Sequence, residues 1–311
     1  MYRPNKALFT FLFLFLITLS HSQNKYKITG YIPQRSVERI TSAHFDLITD
    51  AIFFGTDVDS KGNIDLDEVH KYLIKLNTVR GEKDVNLSVC FGGWERSKFF
   101  EKMSASKKRR ANFCKQVLDM CQKYQLNGVD LDWEYPSTPE QRKNFVKLVK
   151  DLFETLNPHD IFISIAVGHW EAKAELTAKV EPYISDVNLM LYDNVDPING
   201  HASLGLVKKG CERFIKHGIP AGKIIAGVPF YGRHNINRLK TKAYRDIEKP
   251  EVNISKEGWY EGYFFNPPEI LTQKATYVKE RGLGGIMIWE LGHDIDPSES
   301  RSLLKAINNN L

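Results

Sequence analysis

Residues 127–136 read Asn-Gly-Val-Asp-Leu-Asp-Trp-Glu-Tyr-Pro, with carboxyls at every second position: Asp130, Asp132 and Glu134. Successive side chains of an extended strand point to opposite faces. These three therefore share a face with Gly128, while Val129, Leu131 and Trp133 share the other. Helical patterns flank the segment on both sides, which makes it an interior strand of a parallel sheet, a place where both faces are normally apolar. Carboxyls there are unfavourable unless paired, hydrogen-bonded or neutralised, so local structure alone does not select them. One reading is the wet face of an antiparallel strand, which the flanking helices oppose. Another is a divalent-cation cluster, since carboxylates suit hard cations. The third is acid–base chemistry. Like charges about 6–7 Å apart cannot all ionise freely, so a proton is retained near neutral pH. A carboxylic acid held protonated can donate to a leaving oxygen, and Glu134, the last of the three, is placed for it.

The elements that must position these groups are legible as a repeat. Short apolar runs at 27–32, 50–54, 86–91, 128–132, 161–166, 187–192, 223–228 and 284–288 are separated, in most intervals, by amphipathic stretches. The clear helical patterns cover 66–76, 107–124, 139–156, 204–217 and 268–281, and a last one at 298–309 ends the sequence. Eight strand–helix units predict an α/β protein with a (β/α)8 barrel in a single domain over 23–311. In such barrels the chemistry sits at the C-terminal strand ends. No Gly-x-Gly-x-x-Gly follows the first strand, so nothing supports a dinucleotide fold.

Composition bounds the function classes. The 311 residues are 42% hydrophobic and 26% charged, as in folded soluble proteins. A net charge of +5 is too weak to argue for nucleic acid, and the basic run Lys107 to Arg110 reads as a solvated helix face. Met1 to Lys6 is basic, 7–19 is apolar, and small residues precede a cleavage point after Ser22. This predicts a signal peptide over 1–22 and a secreted or periplasmic protein. The apolar run is short of the roughly 20 residues a membrane span needs. Cys90, Cys114, Cys121 and Cys211 form no metal motif and read as free core thiols. No metal or cofactor is called for, and a monomer is expected.

The carboxylate strand closely resembles the signature of glycoside hydrolase family 18, the chitinases and their relatives, in which an Asp-rich strand ends in the catalytic Glu. Further motifs in the right order support the resemblance. Tyr31 closes the first strand. Cys90-Phe91-Gly92-Gly93-Trp94 is similar to the third-strand Ser-x-Gly-Gly motif, and Met190-Leu191-Tyr192-Asp193 to the sixth-strand Met-x-Tyr-Asp motif. Gly227 to Arg233 matches the seventh-strand segment, and Gly285 to Glu290 resembles the eighth. Asn127 and Cys90 depart from the usual Asp and Ser.

The resemblance implies a retaining, substrate-assisted hydrolysis of β-1,4-linked N-acetylglucosamine polymers, in which the substrate's own acetamido oxygen attacks. It implies that Glu134 is the general acid and then base, that Asp132 holds the acetamido N–H, that Asp130 keeps Asp132 suitably protonated, and that Tyr192 orients the acetamido carbonyl. Trp289 would stack under the sugar, with Tyr31, Gly92, Gly93, Trp94, Tyr135, Met190, Asp193, Tyr231 and Arg233 as further substrate-binding positions. The partner so implied is a GlcNAc-containing polysaccharide or oligosaccharide. The interval 233–266 is too short for the α+β subdomain of larger relatives, which implies a more open cleft. An endo-β-N-acetylglucosaminidase acting on N-glycans and a non-catalytic lectin on the same barrel are the alternatives.

Overall fold

The structure is a computed structural model and describes residues 26–196, 200–247 and 253–311. The expected signal segment, 1–22, lies outside the described residues. Eight strands form a closed barrel: β1 (Lys27–Pro33), β2 (Asp50–Thr56), β3 (Asn86–Gly92), β4 (Gly128–Asp132), β5 (Phe162–Gly168), β6 (Asp186–Met190), β7 (Ile224–Pro229) and β8 (Gly285–Trp289). Every strand pairs in parallel with its neighbours in the chain. β8 closes the ring on β1, with Lys27 opposite Gly285 and Gly30 opposite Ile288. The barrel is the one the alternating pattern predicts.

The outer helices are α1 (Leu66–Arg80), α2 (Phe100–Ala105), α3 (Lys107–Tyr124), α4 (Pro139–Leu156), α5 (Glu171–Val180), α6 (Leu204–Lys216), α7 (Pro268–Arg281) and α8 (Leu303–Asn308). Helix α4 shows why these segments coil. Thr138 accepts the Gln141 N–H at 3.1 Å and Gln141 Oε1 accepts the Thr138 N–H at 3.0 Å, a capping box with Pro139 in the first turn. Phe145, Leu148, Val149, Leu152 and Leu156 then recur at helical spacing and are buried. Two short helices, α2 and α5, lack a pattern strong enough to read from sequence. The first crossover holds only a 3-10 segment, Gln34–Arg39, and one turn, Ser42–Phe45.

The main core lies between the barrel and its helices. A second, smaller cluster fills the barrel itself: Tyr31, Ile52, Cys90, Ala166, Ile225 and Met287. All four cysteines are free and buried. The interval between β7 and α7 folds into a small antiparallel sheet of Tyr231–His234, Thr241–Ala243, Trp259–Tyr260 and Tyr263–Phe264. Its two-residue strands are below what periodicity can detect. No helix among the described residues is long and apolar enough to cross a membrane.

Gly92 ends β3 at φ +98°, and a Cβ there would lie 2.3 Å from the Asp132 carbonyl oxygen. Gly92→Ala is therefore expected to cost at least about 1–3 kcal/mol from backbone strain alone, read as a lower urea midpoint. An unchanged midpoint would contradict so close an approach of β3 to β4.

Candidate active site

The hydrogen-bonded run of β4 stops at Asp132, two residues short of Glu134, for an identifiable reason. The last rung between β3 and β4 is the Gly93 N–H donated to the Asp132 carbonyl at 2.7 Å. The Glu134 N–H donates to Ser97 Oγ at 3.0 Å, and that hydroxyl lies 3.1 Å from the carbonyls of both Gly93 and Asp132. The loop after β3 thus holds the backbone that carries Glu134. The Glu134–Tyr135 peptide is cis. On the opposite face of β4, Trp133 packs on Phe100 and Phe145, as alternation requires.

The three carboxyls sit in graded surroundings. Asp130 is fully buried in the barrel and accepts hydrogen bonds from Tyr31 Oη (2.8 Å), Ser164 Oγ (2.5 Å) and Asn188 Nδ2 (3.1 Å). Burial raises its carboxyl above the ordinary range, and the donors on Ser164, Tyr31, Cys90 and Asn188 pull it back. Asp132 is only 4% exposed and its Oδ1 has no hydrogen-bond partner. Burial, then the charges of Glu134 and Asp130, hold its carboxyl well above the ordinary value. Glu134 is half-buried; burial raises it, and the charge of Asp193 adds to the shift. The result is a well-tied base layer, an unsatisfied carboxyl above it, and a protonatable acid at the mouth.

Tyr192 stands just beyond β6, its hydroxyl 3.9 Å from Met287 Sδ. Burial raises the phenol strongly, so it stays a neutral donor. Met190 packs beside it against the inner cluster. Tyr231 and Arg233 both donate to Asp193 Oδ1, and the Asp193 N–H donates to Nε2 of buried His201 at 3.1 Å. Trp289 lies 5.7 Å from the Tyr31 ring and edge-on to Phe54 at 4.9 Å. Gly93, at φ +111°, lets β3 pass Phe54, whose ring a Cβ would meet at 2.3 Å. Trp94 is 70% exposed at the rim, and half-buried Tyr135 meets the Trp170 ring edge-on at 5.6 Å.

The structure thus gathers the named positions at one end of the barrel, in different roles. Tyr31, expected as a sugar contact, is 1% exposed and commits its hydroxyl to Asp130, so it supports the carboxylate from below. Asn127 lies at the opposite end of β4, where its Oδ1 accepts from Leu87 N–H and Arg80; it is remote from the carboxyl cluster. Sequence reasoning missed Ser97, Ser164, Asn188, His201 and Trp170. Asn188 lies two residues before Met190 on the same face, so alternation contains its signal; Ser97 and His201 carry none. Among the described residues no group of His, Cys, Asp and Glu is arranged to hold a metal ion.

Ser97→Ala is expected to lower kcat about tenfold, or ~1.4 kcal/mol of misplacement, with KM changed less than about twofold. Ser97→Thr should restore most of the rate. A KM effect without a kcat effect would show that Ser97 shapes binding rather than the position of Glu134.

Comparison with known proteins defines the class. The sequence model described as Glycosyl hydrolases family 18 matches residues 27–294, nearly all of the barrel. The chain belongs to this family, the glycoside hydrolases expected from the carboxylate strand. Chitinase A1 of Niallia circulans is 26% identical over 282 residues, covering 66% of this chain and 40% of its own length. The chain spans less than two thirds of the curated relatives it first matches. Among solved structures, the family 18 chitinase from the chitin utilization locus of Flavobacterium johnsoniae superposes with a TM-score of 0.78 at 23% identity, over 93% of this chain and 94% of that one. A family 18 N-acetylglucosaminidase from Paenibacillus barengoltzii gives 0.76 at 22% identity, over 92% and 100%. Both show the same fold.

Proposed function

We propose that this protein hydrolyses β-1,4-linked N-acetylglucosamine polymers, as a chitinase does, with retention and with the substrate's acetamido group as nucleophile. The observation that carries the reading is Asp132: buried, unpartnered at Oδ1, and set between hydrogen-bonded Asp130 and mouth-facing Glu134. A buried carboxyl oxygen that receives no hydrogen bond from the protein is suited to accept an acetamido N–H once sugar fills the cleft. Tyr192, a neutral phenol, is suited to orient the acetamido carbonyl for attack on its own anomeric carbon, an intramolecular reaction of high effective molarity. Glu134 donates its proton to the departing oxygen and then takes one from the water that opens the oxazolinium. Trp289, between Tyr31 and Phe54, forms an apolar floor for the sugar ring.

A second reading, an endo-β-N-acetylglucosaminidase acting on N-glycans, uses the same carboxyl and phenol chemistry; the Paenibacillus relative of the same fold is itself named an N-acetylglucosaminidase. We further propose export through the amino-terminal segment and action as a monomer.

The test is hydrolysis of chitotetraose followed by proton NMR of the first product. The β-anomer is expected, and the fully deacetylated tetramer should be left intact because it lacks the internal nucleophile. Cleavage of both oligomers at similar rates would overturn substrate assistance. Inertness toward chitotetraose alongside release from N-glycans would select the second reading.

A further inference from the structure

Outside the cleft, a groove gathers positive charge that no ion pair neutralises. Helices α4 and α5 flank a groove of about 660 Å³, lined by Arg142, Lys143, Lys147 and Lys179 over a floor that includes Val146 and Leu176, with Glu175 as the lone carboxylate. From Pro139 to Lys147 it follows α4 for about 12 Å. Several cations elsewhere on the surface are paired, among them Arg213 with Glu171, Arg281 with Glu212, and Arg301 with Glu269. Among the described residues no such ion pair engages Arg142, Lys143, Lys147 or Lys179, and Lys147 reaches only the Asn144 amide oxygen, at 3.2 Å.

The groove begins beside the cleft: Pro139 and Ala172 line its upper end, a few residues along the chain from Tyr135 and Trp170, which meet edge-on at the rim. Lys173 Nζ sits 4.3 Å over the Tyr135 ring, next to Glu134. Burial, then the charge of Arg142, push the Lys173 ammonium down to about 8, so the groove's field is felt at the rim of the site. Unpaired cations beside a glycan cleft fit a chain that bears negative charge at intervals.

We propose that the α4–α5 groove binds a carboxylate-bearing segment of the glycan whose neighbouring sugars enter the cleft, so that the preferred substrate is an anionic GlcNAc-containing polymer. The proposal rests on the glycan-hydrolysing reading above. Steering by exposed cations is screened by salt over a Debye length of about 8–10 Å, which gives the interaction a signature that shape-based binding lacks. Glycan is favoured over nucleic acid because a cation, Lys173, sits over the rim residue Tyr135, and because a net charge of +5 over 311 residues is modest.

The probes are carboxymethyl chitin, which is anionic, and glycol chitin, which is neutral. In affinity electrophoresis of the Glu134→Gln protein, carboxymethyl chitin is expected to bind about fivefold tighter at low salt, the advantage falling below about twofold at a few hundred millimolar salt. Combining Arg142→Gln, Lys143→Gln and Lys179→Gln should abolish the advantage while leaving glycol chitin binding unchanged. The same triple change in a chain that retains Glu134 should leave kcat on glycol chitin unchanged. An advantage that survives the triple change or high salt would overturn the proposal. Displacement of carboxymethyl chitin by an equal charge of duplex DNA would overturn it as well, by showing an unselective polyanion surface. If the Glu134 chain hydrolyses neither polymer, the activity reading fails, and the groove is still decided by the binding comparison in the Glu134→Gln protein.

Discussion

Glu134→Gln is expected to reduce kcat on chitotetraose by about 10²–10⁴-fold, the range typical of removing a general acid, with KM little changed. Glutamine keeps the shape and the backbone N–H bond to Ser97 but has no proton of useful acidity. The parent acid is primed by burial and by the charge of Asp193, both of which raise it. Protonation is therefore retained to higher pH than in a free side chain, and kcat should fall as pH rises through the shifted value. Single-turnover assays with chitotetraose measure this directly. A variant within about tenfold of the parent would mean that another group supplies the proton. An aryl leaving group, which needs no protonation, should recover much of the lost rate and would separate a missing acid from a misfolded site.

Asp132→Asn is expected to trade activity for stability. The rate should fall by at least about 10²-fold, because an oriented electrostatic partner of the transition state is weakened. The fold should gain about 1–3 kcal/mol at neutral pH, the usual toll of a poorly compensated buried polar group. The sign follows from linkage. Burial and the neighbouring carboxylates raise Asp132 in the folded protein above its ordinary value of 3.8, so the native state binds its proton more tightly than the unfolded chain. The associated stability is fully present below pH 3.8 and is lost as pH rises through the folded value. Parent and variant should thus have similar urea midpoints under acid conditions, and the variant should pull ahead as pH rises. A variant less stable than its parent at pH 7 would show that the carboxylate holds the site together rather than straining it.

Much of this site could be read before any coordinates because it lies on one strand. Alternation alone places Asp130, Asp132 and Glu134 on one face and Val129, Leu131 and Trp133 on the other, and the structure keeps that division. The barrel strands were equally legible. Runs of apolar residues buried on both faces, separated by amphipathic helices, leave a parallel closed sheet as the economical way to bury them.

Supporting contacts were less accessible. Ser164 and Asn188 reach Asp130 across 34 and 58 residues of chain, and a serine or asparagine in a strand carries no mark of its partner. The same holds for Ser97, which acts on the backbone of residue 134 and not on any side chain a motif would pair with it. Tyr31 shows the converse: its motif position suggested a ligand contact, and only the closure of β1 beside the rest of the barrel reveals that its hydroxyl belongs to Asp130.

The sequence by itself determined the element order, the shared face of the three carboxyls and the family resemblance, because each depends on local periodicity or on residues adjacent in the chain. Tertiary structure alone decided which carboxyl is satisfied and which is not. Burial and hydrogen bonding set proton affinity, and both are sums over groups brought together from separate strands. It also decided that the cations of α4 and α5 line one groove that holds a single carboxylate, Glu175, since a helix fixes the spacing of its own charges but not the identity of the helix beside it.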